Sequence, residues 1–350
     1  MRRLKSDRVR VSVRSCPPRP ASLLASGLLV LCGIVACGAP KATTPLPTPS
    51  TAPVLTCATS ERVTSPLGGA TAVSYGAPAV SGGQFPVVVS CLPASGSVFP
   101  LGATTVTCTA TDALQRVASC LLTVTVVAPP VIQLTRFVAF GDSITAGEDG
   151  TATQTVGLSG LNPVILFGRE YPTVLQTSLR ARYTTQTGSL AVTNAGLPGE
   201  MVGAPDTLTR FTRDVLRSSA QSLLLMEGAN DLFDAYFGNA TAIPLALANV
   251  QTMIRQAKGA GLRVYLATLP PQNPNACIPV CRGRAASLVP GYNDKLRSLA
   301  AVEGVTLVDV YLDFGGDLSL LSTDGLHPNT FGFERIASSF FAALRATLES

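Results

Sequence analysis

Between residues 54 and 128 the chain shows no helical periodicity; short β-branched runs recur between turn signals. The runs Pro86–Cys91, Thr104–Ala110 and Cys120–Val126 are punctuated by Gly68-Gly69, Gly82-Gly83, Pro93, Gly96, Pro100 and Gly102. This pattern predicts a small all-β sandwich. Ala128-Pro129-Pro130 breaks its last strand, and from about Arg136 the pattern changes. Apolar runs at 137–141, 190–194, 222–227, 263–269 and 305–310 predict strands, and they alternate with helix-like segments at 171–182, 205–219, 241–260, 287–303 and 329–348. Strands that alternate with helices predict a parallel sheet covered on both faces. Right-handed crossovers then limit the topology, and the expected strand order is the flavodoxin-like 2-1-3-4-5. The expected fold class is therefore α/β: a three-layer sandwich around a parallel five-stranded sheet, preceded by a small all-β sandwich.

Composition changes the picture mainly at the N-terminus. Apolar residues make up 46% of the 350-residue chain, enough for a large core, while charged residues are only 13%, as in many exported proteins. Residues 1–20 hold seven Lys/Arg and one acid, so they account for +6 of the formal +5, and the remainder carries −1. No basic surface for nucleic acid is implied. The basic start and the uncharged segment 21–36 read as a signal peptide with its apolar h-region. The long basic region leaves a translation start downstream of Met1 open. Ile34-Val35-Ala36-Cys37-Gly38 resembles a bacterial lipobox, which implies cleavage before Cys37 and a lipid anchor on it. An uncleaved anchor or an ordinary secretory signal is the alternative. Residues 37–55 contain a Pro/Thr-rich tract that reads as an extended linker. The domain division expected is 1–36 signal, 37–55 linker, 56–128 sandwich, 129–135 linker and 136–350 α/β domain.

Cysteine parity fits export. With Cys16 and Cys32 removed and Cys37 lipidated, six remain (Cys57, Cys91, Cys108, Cys120, Cys277 and Cys281), which suits three disulfides. Zinc is disfavoured, because the chain has no Cys-x2-Cys pair and its single histidine lies elsewhere. The stretch Ser95–Asp112 (SGSVFPLGATTVTCTATD) resembles the hyalin repeat (HYR) module, an immunoglobulin-like sandwich, over most of 56–128. Ala113-Leu114-Gln115-Arg116 replaces the usual Gly-Asn turn after the Asp. The resemblance implies adhesion or spacing, with a surface partner, and favours Cys91–Cys108 and Cys57–Cys120; two other connectivities stay open. Cys277 and Cys281 form a separate candidate pair within one small loop.

The chemistry is expected where strand ends share one edge of the sheet. Gly141-Asp142-Ser143 follows the first strand, Asn194-Ala195-Gly196 the second, and Gly228-Ala229-Asn230-Asp231 the third; Asp324-Gly325-Leu326-His327 precedes the last helix. A serine needs an adjacent base to act as a nucleophile at neutral pH, and His327 is the only histidine. The Asp-x-x-His spacing lets Asp324 reach back to the ring. These four blocks, in this order, resemble those of the SGNH (GDSL-type) hydrolases over about 136–350. The resemblance implies Ser143 as nucleophile, His327 as general base and Asp324 as its orienting acid. It also implies an oxyanion hole from the N–H groups of Ser143 and Gly196 and the Asn230 amide. Plain structural alternatives exist: an N-cap for Asn230, a turn glycine for Gly196, a cap for Asp324 and a satisfied structural side chain for His327. Asp142 is expected to hold the loop by accepting backbone N–H groups. The reaction implied is hydrolysis of a carboxylic ester (lipid, short-chain or acetylated glycan) through an acyl-enzyme, with no metal or organic cofactor. An adhesion or carbohydrate-binding scaffold and an O-acetyltransferase are the competing functions. Loops 148–170 and 270–286 are the candidates to shape the substrate pocket.

Overall fold

The computed structural model describes residues 51–148, 150, 156–157, 160–161, 165–278 and 280–350. The signal segment, Cys37 and most of the 149–164 stretch lie outside the described residues. No helix among the described residues is long and apolar enough to cross a membrane.

The first strands are β1 (Val54–Thr56), β2 (Glu61–Thr64), β3 (Thr71–Ala72) and β4 (Ala79–Ser81). They are followed by β5 (Val88–Leu92), β6 (Val98–Phe99), β7 (Gly102–Thr111) and β8 (Val117–Val127). A four-stranded sheet runs in the order β2-β8-β7-β5, and β1-β4 and β3-β6 form two short antiparallel pairs. The two-residue period is clear on β7 and β8. Val106, Cys108, Ala110, Leu122, Val124 and Val126 are buried, while the threonines between them are exposed or half-buried. This is a small core, and two disulfides brace it: Cys57–Cys120 and Cys91–Cys108. Gln115, in the turn that departs from the module's usual pattern, takes φ 62. Asp112 holds that turn by accepting from the N–H groups of Leu114 and Arg116, both at 2.9 Å, and from Gln84 N–H at 3.0 Å.

The second part carries β9 (Arg136–Gly141), α1 (Ser143–Ala146), β10 (Val156–Gly157), β11 (Gly160–Leu161) and α2 (Tyr171–Arg182). Next come β12 (Ala191–Gly196), α3 (Thr207–Phe211), β13 (Ser222–Met226), α4 (Ala229–Tyr236) and α5 (Ala242–Gly259). The chain ends with β14 (Arg263–Ala267), α6 (Val289–Glu303), β15 (Thr306–Val308), α7 (Val310–Phe314) and α8 (Thr330–Leu348). The sheet is parallel throughout, in the order β12-β9-β13-β14-β15. This is the 2-1-3-4-5 order expected. Strand β13 is buried at every position, and β9 at every position but Arg136, because helices cover both faces. Helices α2 and α8 pack together, with Tyr171 stacked on Phe340 at 5.3 Å, and α5 packs against α6.

Local chemistry sets the helix ends. Pro172 starts α2, where its missing N–H costs nothing. Asn329 caps α8 by accepting from Phe331 and Gly332 N–H. Two expectations need correction. The helix expected over 205–219 is a short α3 continued by one π-helical turn, Thr212–Leu216. The last strand stops at Val308, because Asp309 caps α7 through Leu312 N–H.

Candidate active site

Strand β9 delivers the chain to the C-terminal edge of the sheet, where Gly141 is closely packed: an added Cβ would meet Thr145 Oγ1 at 2.0 Å and Met226 O at 2.4 Å. Asp142 then caps α1 and puts Ser143 at its first position. The Asp142 carboxylate accepts from Ile144 N–H at 2.9 Å and Ala229 N–H at 3.3 Å, so it ties the serine loop to the start of α4. Complete burial pushes the Asp142 pKa up to about 6, against the lowering effect of those two bonds.

The other chemistry-bearing side chains come from far along the chain. His327 Nε2 lies 2.8 Å from Ser143 Oγ, and His327 Nδ1 lies 2.6 Å from Asp324 Oδ2. Asp324 Oδ1 accepts from the N–H groups of Leu326 and His327, which folds the carboxylate back over the turn. Burial alone would raise its pKa; the bonds from the His327 ring and these N–H groups hold it below the usual carboxylate range instead. With Asp324 accepting at Nδ1, the proton of a neutral imidazole belongs there, and Nε2 is left as the acceptor facing Ser143. All three residues are buried: 2% exposed for Ser143, 2% for Asp324 and 0% for His327.

The Asp324 turn is clamped from outside by the disulfide loop. Asp324 O accepts from Arg282 and Gly283 N–H, Thr323 O accepts from Ile278 N–H, and Thr323 Oγ1 donates to Ile278 O. Cys277–Cys281 closes that loop. Gly325, at φ 80, has no room for a side chain, since its Cβ would meet Asn273 O at 2.1 Å.

Among the oxyanion candidates, one structural alternative and one expected donor change. Asn230 is not an N-cap: α4 starts at Ala229 with Gly228 as cap at φ 116, and Asn230 Nδ2 donates to Glu200 O at 2.8 Å. Gly196 is not a free donor. Its N–H is taken by Asn194 Oδ1 at 2.9 Å, and an added Cβ would meet Ala146 N at 2.1 Å, so the glycine is needed for packing on α1. The same turn leaves another backbone donor. Gly199, at φ 78, has an N–H without an acceptor among the described residues and precedes the carbonyl partner of Asn230, Glu200. Ser143 N–H likewise has no acceptor among them. The signal for Gly199 in the sequence was the second glycine of Gly196-Leu197-Pro198-Gly199-Glu200.

Beneath this edge lies a buried cluster that sequence reading missed. Arg210 makes a bidentate pair with Glu200, donates to Ala195 O at 2.7 Å and Gly141 O at 3.3 Å, and stacks on Phe140 at 3.7 Å. It thereby fastens the ends of β9 and β12 to the turn at Glu200. Glu227 sits 3.7 Å from Arg210, with neither carboxyl oxygen hydrogen-bonded among the described residues, and burial, followed by nearby Asp142 and Glu200, pushes its pKa well up. Burial also raises Asp231, which holds Val202 and Gly203 N–H at 2.9 Å. No group of three His, Cys, Asp or Glu suited to a metal ion occurs among the described residues.

Comparison with known proteins follows the same division. Residues 139–335 match the GDSL-like Lipase/Acylhydrolase family, and residues 49–126 match the HYR domain. No curated protein matches the chain. Among solved structures, the chain is similar to LAE5, an alpha/beta hydrolase enzyme from the metagenome of Lake Arreo, Spain. Identity is 26% and the TM-score 0.47, over 60% of this chain and 94% of that one. It is also similar to Axe2, an acetylxylan esterase from Geobacillus stearothermophilus, at 19% identity and TM-score 0.46, over 61% and 96% of the two chains. A third, the acetyl xylan esterase AlAXEase, shares 22% identity at TM-score 0.46, over 59% and 98%.

Proposed function

The chain belongs to the GDSL-like lipase/acylhydrolase family and is an ester-bond hydrolase, and from that premise we propose that it is an exported serine esterase acting through Ser143, His327 and Asp324. One observation carries the proposal: the continuous buried line Asp324–His327–Ser143, with contacts of 2.6 and 2.8 Å. His327 Nε2 takes the Oγ proton as Ser143 Oγ bonds to the ester carbonyl carbon. The oxyanion that forms is met by Ser143 N–H, Gly199 N–H and the Asn230 amide. Collapse returns the Nε2 proton to the leaving alcohol and leaves an acyl-enzyme. Water, deprotonated by the same nitrogen, then attacks the acyl carbon and releases the acid. Asp324 stays ionised and steadies the imidazolium in both halves.

Export is supported by the disulfides and by the HYR module; the division into a 56–128 sandwich and a 136–350 catalytic domain gives a spacer and a working part. The lipobox-like Cys37 supports a lipid anchor, which predicts that Cys37→Ser moves the protein from the membrane fraction to the soluble one. The esterase reading is tested with p-nitrophenyl esters of increasing acyl length beside Ser143→Ala. Turnover in the parent, lost in Ser143→Ala, is expected; equal turnover in both overturns it.

A further inference from the structure

The line from Asp324 to Ser143 does not exhaust what surrounds the histidine. Glu148 stands just after Gly147, the C-cap of α1; its N–H bonds to Ser143 O at 2.9 Å, and its side chain is only 3% exposed. Glu148 Oε2 lies 3.6 Å from His327 Nε2, the nitrogen that also faces Ser143 Oγ. Its other oxygen, Oε1, is held by Arg282 Nη1 at 3.0 Å. Arg282 stands directly after the Cys277–Cys281 loop, and its own N–H bonds to Asp324 O. Two carboxylates thus flank one imidazole, Asp324 at Nδ1 and Glu148 at Nε2, and the second is tied to a cation.

Resting on the esterase reading above, we propose that Glu148 is a positioning residue for His327, and that the Glu148–Arg282 pair sets how strongly the imidazolium is stabilised at Nε2. In the resting state Nε2 carries a lone pair, and a carboxylate 3.6 Å away gains nothing from it. Once Nε2 takes the Ser143 proton, the same carboxylate faces a positive N–H. The attraction exists only after proton transfer, so it lowers the barrier without tightening the ground state. Arg282 limits the effect. Without its counter-charge Glu148 would hold the imidazolium so firmly that the proton would be slow to reach the leaving alcohol. Among the described residues, the charged and titratable groups that act on the ring are Asp324 and Glu148 directly, Arg282 through Glu148, and Asp142 through its field beneath the serine loop.

The test is a double-substitution cycle read by pH profile. Glu148→Gln keeps a partner for Arg282 but removes the negative charge, leaving the guanidinium to oppose the imidazolium. Its kcat is expected to fall by about 10- to 100-fold with KM little changed, and the acid limb of kcat/KM moves to lower pH. Arg282→Met moves the limb the other way, to higher pH. Combining the two returns the limb toward the parent's. A role in packing alone would lower activity or stability without opposite shifts. An unmoved limb in both single variants, or shifts of the same sign, overturns the proposal. His327 is the only histidine, so in untagged full-length protein its ring C–H resonance reports the same titration without any substrate. In that measurement Glu148→Gln titrates at lower pH than the parent and Arg282→Met at higher pH; coincident curves overturn the proposal. Loss of the Ser143-dependent turnover itself would count against the esterase reading, while the resonance would still decide the role of Glu148.

Discussion

Asp112 in the sandwich and Asp142 under the nucleophile loop are both buried aspartates, and they are driven in opposite directions. Burial pushes both up. Asp112 nonetheless ends at about 2, because three backbone N–H groups and the Arg116 guanidinium satisfy its oxygens. Asp142 accepts from two N–H groups and has no guanidinium hydrogen-bonded to it among the described residues; burial outweighs those bonds and the lowering effect of nearby His327, and it ends at about 6. Donor count against burial decides the sign. The consequence for stability is opposite. The Asp112 contribution is present above its unfolded value of 3.8 and is lost as pH falls through about 2. The Asp142 contribution is fully present below 3.8 and is lost as pH rises through about 6. The sandwich therefore keeps its polar groups satisfied and compensates for a small core with cross-links. The hydrolase sheet has a large apolar core and concentrates buried carboxylates raised by burial, Asp142 and Glu227 among them, at the one edge where Ser143 stands.

That contrast predicts which substitutions touch activity and which touch stability. The largest effect is expected from Asp324→Asn, which leaves the fold intact but presents the wrong tautomer at Nε2; kcat should fall on the order of 10^4-fold at unchanged thermal stability. Asn230→Ala follows, with a loss of about 10^2- to 10^3-fold in kcat. Its shape makes Asn230→Asp a sharper control, since that change keeps the volume and removes the donor. In the sandwich, replacing Cys57 and Cys120 together by Ala should cost about 2–4 kcal/mol in urea unfolding and leave ester turnover unchanged. An equal fall in kcat would dissolve the distinction between the two parts. The pH dependence is an effect of similar size: between pH 4 and 7 the parent should lose on the order of 3 kcal/mol through Asp142, a dependence absent from Asp142→Asn. Asp112→Asn should remove only the loss of stability that appears below pH 4.

Much of this was legible in the sequence because apolar runs bounded by glycine-bearing polar turns have few other uses. The five strands and their order followed from that alternation, and the blocks at Ser143, Asn230 and Asp324–His327 fell at strand ends or before the last helix. What stayed hidden depends on contacts the pattern does not encode. Gly196 reads as a free strand-end glycine, but the Asn194 side chain takes its N–H and Ala146 occupies the space beside it. Helices α1, α4 and α7 span four, eight and five residues, too few for a 3.6-residue period to repeat clearly. Glu148 and Arg282 are 134 residues apart and meet only because the disulfide loop folds over the Asp324 turn.

The central claim is that Ser143 is the nucleophile, activated within a buried line of hydrogen bonds. It is tested most directly by treating the protein with a fluorophosphonate ester and mapping the adduct by peptide mass. One adduct is predicted, on the Ser143 peptide, absent in Ser143→Ala and strongly slowed in His327→Ala. Ester hydrolysis that persists with Ser143 unlabelled, or an adduct on a different residue, would contradict the claim.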